Sequence, residues 1–116
     1  PPRSTLFPYT TLFRSTPLAG PIRFGVRAFF PIPASKPKRF REDALAGKIW
    51  PTKKPDLSNI VKHLEDVMNG VFWVDDAQIV GFTDNSGKYY GEPARYEITI
   101  LYRRDDNPVS DARKNR

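Results

Sequence analysis

The alternation of apolar and polar residues predicts three strands. Residues 22–30 form the clearest case, since every second side chain is apolar, and Pro31 and Pro33 end the segment because proline cannot donate to a ladder. One side of this strand is expected to carry Ile22, Phe24, Val26, Ala28 and Phe30. Residues 95–103 alternate in the same way, and residues 78–84 are predicted as a shorter strand. Turn residues at 84–88 and 91–93 separate the strand at 78–84 from the strand at 95–103.

Two helices are predicted between the first strand and the second. The first runs from Ser35, with Pro37 in its first turn, to about Ala46, and Gly47 closes it. The second spans residues 58–68 and ends at Asn69-Gly70, a usual helix stop. Its apolar stripe consists of Ile60, Val61, Leu64, Val67 and Met68. The sequence therefore predicts an α+β fold, a small mixed or antiparallel sheet with two helices on it.

Three regions of different character follow one another along the chain. Residues 1–15 match the translation of a common sequencing-library adapter, so we expect this segment to be non-native and leave it out of fold reasoning. Residues 16–103 are predicted to form one domain, and residues 104–116 a polar, disordered tail. Because the adapter reads directly into the chain and no initiator methionine is present, we expect a truncated reading frame that has lost its native N-terminus.

Composition narrows the class of protein only slightly. The 116 residues carry a formal charge of +6; without Arg3 and Arg14 of the adapter segment, 17 basic residues face 13 acidic ones, a mild excess of four. Such an excess is compatible with nucleic acid. The absence of cysteine excludes disulfides and cysteine-ligated zinc and fits a cytoplasmic protein. No apolar run approaches the ~20 residues of a membrane span, so no membrane partner is expected.

Candidate chemistry gathers around the second helix. Lys54-Pro55-Asp56-Leu57-Ser58-Asn59 opens it, Lys62 lies one turn further on, and Asp75 and Asp76 follow it. Carboxylates from two segments suit a hard divalent cation, which takes oxygen ligands and keeps several waters. A lysine beside them suits a phosphate substrate. Residues 58 and 62 are one turn apart, so the Lys62 amine can reach a group bound near Ser58.

The order and spacing of these residues resemble a known family. KPDLSN-x-x-K, then Asn69-Gly70, then the segment from Val71 to Val80 with its Phe72-Trp73 pair and Asp75-Asp76, is similar to the core of the RusA-type Holliday junction resolvases, small endonucleases often carried by prophages. The likeness extends from Gly20 to about Ile100. It implies a homodimer that binds branched DNA, the four-way junction, in recombination and repair, and that hydrolyses a phosphodiester with a metal-activated water.

The resemblance also implies roles for individual residues. Asp56 and Asp76 would hold Mg²⁺, or alternatively Mn²⁺, with Asp75 as an outer partner and Ser58 as a weak ligand, while Lys62 would stabilise charge on the reacting phosphate. Lys54 and Asn59 would contact DNA. The first helix adds four basic residues that either touch phosphates or form a solvated face balanced by Glu42 and Asp43: Lys36, Lys38, Arg39 and Arg41.

Each of these residues also has a structural interpretation. Asp56 can cap the helix that follows it, and Asp75-Asp76 can be an ordinary polar turn. Lys62 can pair with Asp66 one turn on. The single histidine, His63, is expected on the helix surface. Three aromatic residues are expected in the core or at a dimer interface: Trp50, Phe72 and Trp73.

Ser58 departs from the family pattern, which has a second aspartate at this position. Serine brings no charge, although its hydroxyl can ligate weakly or position a water. Two interpretations stay open: an active variant that binds metal through Asp56, Asp76 and waters, or a catalytically weakened protein that binds junctions without cutting them. A DNA-binding structural protein and a small domain that acts on another phosphate ester are the competing functional classes.

Overall fold

The computed structural model describes residues 16–107 and, for the backbone alone, residues 2–6. Its strands are β1 (Pro2–Leu6), β2 (Ile22–Phe30), β3 (Ile79–Phe82), β4 (Gly87–Tyr90) and β5 (Arg95–Arg103). The helices are α1 (Lys38–Leu45) and α2 (Leu57–Met68), and one 3₁₀ turn at Asp76–Gln78 leads into β3. The predicted α+β class is confirmed. In this part of the chain, neither helix has the length and hydropathy needed to cross a bilayer.

Strand β2 is the centre of a mixed sheet. The strand order is β1-β5-β2-β3, and β4 also pairs with β2. β5 runs antiparallel to β2 on one edge, whereas β3 and then β4 run parallel to β2 along the other. Thr83 lies directly over Gly25, in the space that a Cβ atom there would occupy. A side chain at position 25 would therefore force β2 and the chain after β3 apart.

The core lies between one face of the sheet and α2. The alternating residues of β2 from Ile22 to Phe30 are all at most 9% exposed, as the sequence pattern predicts. Strand β5 adds Ile100, and Trp73, which follows α2, packs edge to face on Phe24 with ring centroids 5.2 Å apart. The helix contributes Ile60, Leu64 and Met68. Each such buried side chain stabilises the fold by roughly 1.5–3 kcal/mol relative to an exposed one.

Three local predictions are wrong. Residues 87 and 88, predicted as part of a turn, begin β4, which satisfies the backbone groups of β2 beyond the point where β3 ends. The strand predicted over residues 78–84 is shorter because the 3₁₀ turn takes its start. Val67, expected in the apolar stripe, is 56% exposed. Trp50 is 67% exposed, which excludes the core for it, while the dimer interface stays a prediction.

The segment that we expect to be adapter-derived contributes β1, which pairs antiparallel with residues 99–103 of β5. Main-chain pairing at a sheet edge requires no particular side chains, so an extended segment of unrelated origin can occupy it. Residues 1 and 7–15 of that segment lie outside the described residues, as do residues 108–116 of the predicted tail.

Asn107 belongs to the folded domain, although the sequence places it in a disordered tail. It is 3% exposed. Its Oδ1 accepts a hydrogen bond from the Ala19 N–H at 2.7 Å, and its Nδ2 donates to the carbonyls of Ala19 and Arg103, both at 3.0 Å. The ordered chain therefore continues at least to Asn107, past the predicted boundary at residue 103.

We expect Asn107→Ala to lower the free energy of unfolding by about 1 kcal/mol or more, because the part-buried N–H of Ala19 and the carbonyls of Ala19 and Arg103 lose their partner. Asn107→Asp, of the same shape, should also destabilise because a carboxylate cannot donate to the two carbonyls. Urea unfolding measures both, with the exposed Asp105→Ala as the control. Equal stability of Asn107→Ala and Asp105→Ala would contradict this account.

Candidate active site

Asp56 occupies the N-cap position of α2 without using its side chain as a cap. Its backbone is extended, with φ −65° and ψ 149°, and its carboxylate makes no capping hydrogen bond. The residue is exposed, as are Ser58, Asn59 and Lys62 along the same helix. The helix-capping role considered for Asp56 is not observed. A negatively charged carboxylate, able to bind a metal ion, is therefore exposed to solvent at the start of α2.

The chain that leads into Asp56 is fastened to the end of the sheet. The Lys88 Nζ, from β4, donates to the Lys53 carbonyl at 2.6 Å and lies 5.1 Å from the centroid of the Phe30 ring. Pro55 lines a small cavity together with Phe30 and Tyr96. Lys88 was not predicted as a site residue, because its role depends on β4, which the local sequence does not indicate.

Asp76 is held by a buried aromatic residue. The Trp73 indole N–H donates to the Asp76 Oδ1 at 2.8 Å, and Trp73 itself is 0% exposed. The Asp75 N–H donates to the Gln78 Oε1 at 2.8 Å. The Gln78 amide in turn donates to the carbonyls of Leu18 and Gly20 at 3.0 and 2.8 Å. These contacts tie the Asp75-Asp76 turn to the segment that enters β2.

Glu65 joins this neighbourhood, and the sequence analysis missed it. Burial raises the pKa of the Glu65 carboxyl, repulsion from Asp76 and then Asp66 raises it further, and Lys62 acts in the opposite direction. The charges of Asp76, Asp66 and Lys62 therefore all act on the Glu65 carboxyl. The available signal was helical spacing, since residues 58, 62 and 65 fall on one side of α2.

The polar groups are arranged along α2 and are not gathered at one point. Glu65 lies nine residues after Asp56, which corresponds to about 13 Å along the helix axis. The charge of Asp76 acts on Glu65, which lies in the third turn of α2. Within residues 16–107, no three carboxylate, imidazole or thiol side chains are grouped closely enough to hold a metal ion. Lys62 makes no ion pair with Asp66 in this region, so that alternative is not observed.

These oxygen ligands suit a divalent cation that keeps several of its water molecules, and not one that is enclosed by protein ligands alone. Mg²⁺ is usually bound by one or two carboxylates together with waters and substrate phosphates. The Asp56 carboxylate is exposed and uncommitted, and the Trp73 N–H leaves the second oxygen of Asp76 available. A hydrogen bond that orients a carboxylate in this way is typical of the outer shell of metal sites. The residue types therefore match the predicted Mg²⁺ chemistry.

The predicted DNA-contact residues differ in how far they are committed to other partners. Lys54, Lys38 and Arg39 are exposed, as is Lys36, which precedes α1 and whose Nζ lies 4.8 Å from the centroid of the Phe40 ring. The Arg41 Nη1 instead donates to Glu92 at 2.8 Å, and Arg39 lies 3.8 Å from Asp43. Exposed ion pairs of this kind contribute little. Both interpretations of these charges are therefore met: Arg39 and Arg41 are paired with acidic residues, and Lys38 faces solvent.

Comparison with known proteins agrees with the motif. A family model described as Endodeoxyribonuclease RusA matches residues 9–101, which include both carboxylate segments and the last residues of the segment that we expect to be adapter-derived. The chain belongs to the RusA endodeoxyribonuclease family. An uncharacterized protein of Bacillus subtilis (strain 168), YqaN, is 36% identical to this RusA-family chain over 87 residues. The match covers 73% of the chain and spans 60% of that relative's length. No solved structure matches the chain.

We expect Asp76→Asn to lower the pKa of Glu65, because it removes one of the charges that oppose ionisation. A raised pKa in the folded state means that stability is greatest at acid pH and is lost as Glu65 ionises with rising pH. The variant should therefore lose less stability between acid and neutral pH. Carbon-13 NMR titration of the Glu65 carboxyl measures the shift. Asp56→Asn, at the start of α2, is the control; an equal change in both variants would refute a specific effect of the Asp76 charge on Glu65.

Proposed function

We propose that this chain is a structure-specific endodeoxyribonuclease of the cytoplasm that cuts four-way DNA junctions in recombination and repair. We further propose that it acts as a homodimer and depends on Mg²⁺, for which Mn²⁺ can substitute. The observation that carries the proposal is the uncapped, exposed Asp56 carboxylate in the Lys-Pro-Asp segment of a RusA-family chain, with Lys62 on the same helix.

We assign the cation to Asp56 and Asp76, with Ser58 and Asp75 contributing through a hydroxyl or through waters. Because these groups are spread along α2 in this structure, binding of one ion by both carboxylates would require the two acidic segments to move together. The bound cation supplies an activated water and neutralises negative charge on the phosphate. The protein groups prepare the site: the Trp73 N–H fixes one oxygen of Asp76, and the Lys88 contact holds the chain before Asp56. Lys62, exposed one turn into α2, would donate to a non-bridging phosphate oxygen as charge develops there.

Contacts to the DNA backbone would come from residues on both sides of the polar residues along α2. Lys54 and Asn59 flank Asp56, and exposed cations in and just before α1 extend the basic surface: Lys36, Lys38 and Arg39, with Arg41 joining once it leaves Glu92. Phosphate contacts set position and affinity without reading sequence, so recognition would rest on the shape of the junction. Binding should consequently weaken steeply with added salt.

A junction-binding protein without cleavage is the second candidate. Two observations favour it: serine stands where the family pattern has an aspartate, and within residues 16–107 no group of three candidate ligands is assembled. A synthetic four-way junction and a linear duplex of the same sequence separate the two functions. Cutting of the junction alone, dependent on Mg²⁺, supports the nuclease. Tight junction binding with no cutting at any Mg²⁺ or Mn²⁺ concentration supports the binding protein. Equal binding and equal cutting of the junction and the linear duplex would reject both functions.

We expect Asp56→Asn to reduce junction cleavage by about a hundredfold or more, the scale on which one lost charge-stabilising group acts. Junction binding should stay the same or strengthen slightly, because a negative charge near the phosphates is removed. Asp76→Asn should behave similarly, and Asp75→Asn more mildly. Asp66→Asn, which removes the same charge from the surface of α2, serves as the matched control. Cleavage by Asp56→Asn at the rate of Asp66→Asn would reject the assignment.

Ser58→Asp tests whether serine is only a weaker ligand than aspartate. An added carboxylate gives a hard cation another charged oxygen, so we expect half-maximal cleavage at a lower Mg²⁺ concentration. Mn²⁺, which binds more strongly in general, should improve the parent more than the variant. Titration of both proteins on one junction provides the measurement, with Ser58→Asn as a control of similar shape and no charge. A metal requirement that stays unchanged or rises in Ser58→Asp would instead indicate a site rebuilt around serine.

A further inference from the structure

An apolar pocket lies immediately beside the Asp56 segment. Its volume is about 320 Å³, near the small end of ligand-binding pockets. It opens where β2 ends and β5 begins, and its walls include Phe29, Phe30, Pro55, Ala94, Arg95 and Tyr96. Pro55 directly precedes the candidate catalytic carboxylate. A group that enters this pocket would therefore lie next to the reacting phosphate.

Arg95 is held rigidly at one wall of the pocket. Its guanidinium carbon lies 4.0 Å from the centroid of the Phe29 ring. Its Nε donates to Glu97 at 2.9 Å and its Nη1 to the Pro93 carbonyl at 2.8 Å. The Nη2 group remains available for a further acceptor. An arginine fixed by stacking and two hydrogen bonds loses little conformational entropy when it binds a phosphate oxygen.

Aromatic and proline surfaces enclosed by cations suit one kind of occupant. Tyr96 is 48% exposed, so a wide part of its ring faces outward. Lys53 and Lys54 are exposed at the same end of the domain, beside Pro55. Flat apolar walls with positive charge at the rim are complementary to a nucleotide, whose base stacks and whose phosphate is an anion.

We propose that this pocket takes one unstacked nucleobase of the branched DNA, next to the phosphate that is cut at Asp56, while Arg95 binds the adjoining phosphate. This proposal rests on the junction-cleaving function given above. A base at a branch point has lost the continuous stack of a duplex, which lowers the cost of moving it out. The pocket would select the position of the cut by retaining one base beside the active carboxylate.

The test is a thermodynamic cycle between one base and the pocket. Junctions carry a single abasic nucleotide at successive positions around the branch point, and their dissociation constants are measured without divalent cation at one salt concentration. For the parent chain, we expect one position at which the missing base weakens binding about tenfold, in line with stacking of one base on an aromatic side chain. Junction cleavage by the parent in Mg²⁺ is measured on the same DNAs.

Two variants alter the pocket in opposite ways. Tyr96→Ser removes a wall, and Ala94→Phe fills the space without deleting any buried side chain. Each variant should bind the intact junction about tenfold more weakly than the parent. Removal of the base at the sensitive position should then raise the dissociation constant by less than about twofold, because the interaction between base and pocket is already lost. Phe82→Ala is the matched control, since Phe82 is 50% exposed and lies on β3, on the opposite edge of β2.

The outcomes separate failure of this proposal from failure of the proposed function. If the parent cuts junctions but no abasic position weakens binding, or if the loss persists in Ala94→Phe, the pocket does not hold a base. If either variant changes the oligomeric state of the protein without DNA, in sedimentation, the pocket is a protein interface and the proposal is overturned. If the parent neither binds nor cuts junctions selectively, the proposed function fails and this inference fails with it.

Discussion

One residue, Trp73, connects the hydrophobic core to the candidate active site. Its indole ring is fully buried and packs edge to face on Phe24, and its N–H donates to Asp76. A buried indole N–H needs a hydrogen-bond partner, and a carboxylate is a stronger acceptor than a neutral oxygen. The same hydrogen bond therefore satisfies the polar N–H of a buried residue and fixes the side chain of Asp76. The orientation of Asp76 depends on how the core packs.

The central strand imposes the second constraint. β2 is paired along both edges, so the segments on either side of it are positioned relative to one another through the sheet. At its beginning, Gln78 ties the Asp75-Asp76 turn to Leu18 and Gly20. At its end, Lys88 holds the chain that precedes Asp56. The two acidic segments thus belong to opposite ends of the same strand, with α2 running between them.

The sequence predicts the parts of this fold that depend on local periodicity. The alternation along β2 and the apolar stripe of α2 are long enough to identify both elements, and the two acidic segments stand out because they flank that stripe. Strand β4 was missed since Gly87 and its neighbours have the composition of a turn and pair only with a distant strand. Glu65 and Lys88 were missed for a related reason: the effect of the Asp76 charge on Glu65 and the hydrogen bond from Lys88 to Lys53 arise from the fold, and no local pattern reports them.

The outer face of the sheet shows how charge can be organised without a buried salt bridge. Arg27 lies about equally far from the Phe29 and Tyr89 rings, at 5.0 and 5.1 Å, and shares Glu97 with Arg95. One carboxylate thereby holds two guanidinium groups against stacked aromatic rings. The arrangement orders long side chains that would otherwise move freely, at little electrostatic gain because the pairs are partly solvated.

The hydrogen bonds of Asn107 bring two distant parts of the chain to one place. Ala19, just before β2, and Arg103, at the end of β5, are both bound by the same amide. The segment just before β2 and the segment just after β5 therefore lie side by side, as the two ends of a domain often do. A circular permutation that linked the chain near Ala19 to the chain near Asn107 would keep β2 and β5 in their register.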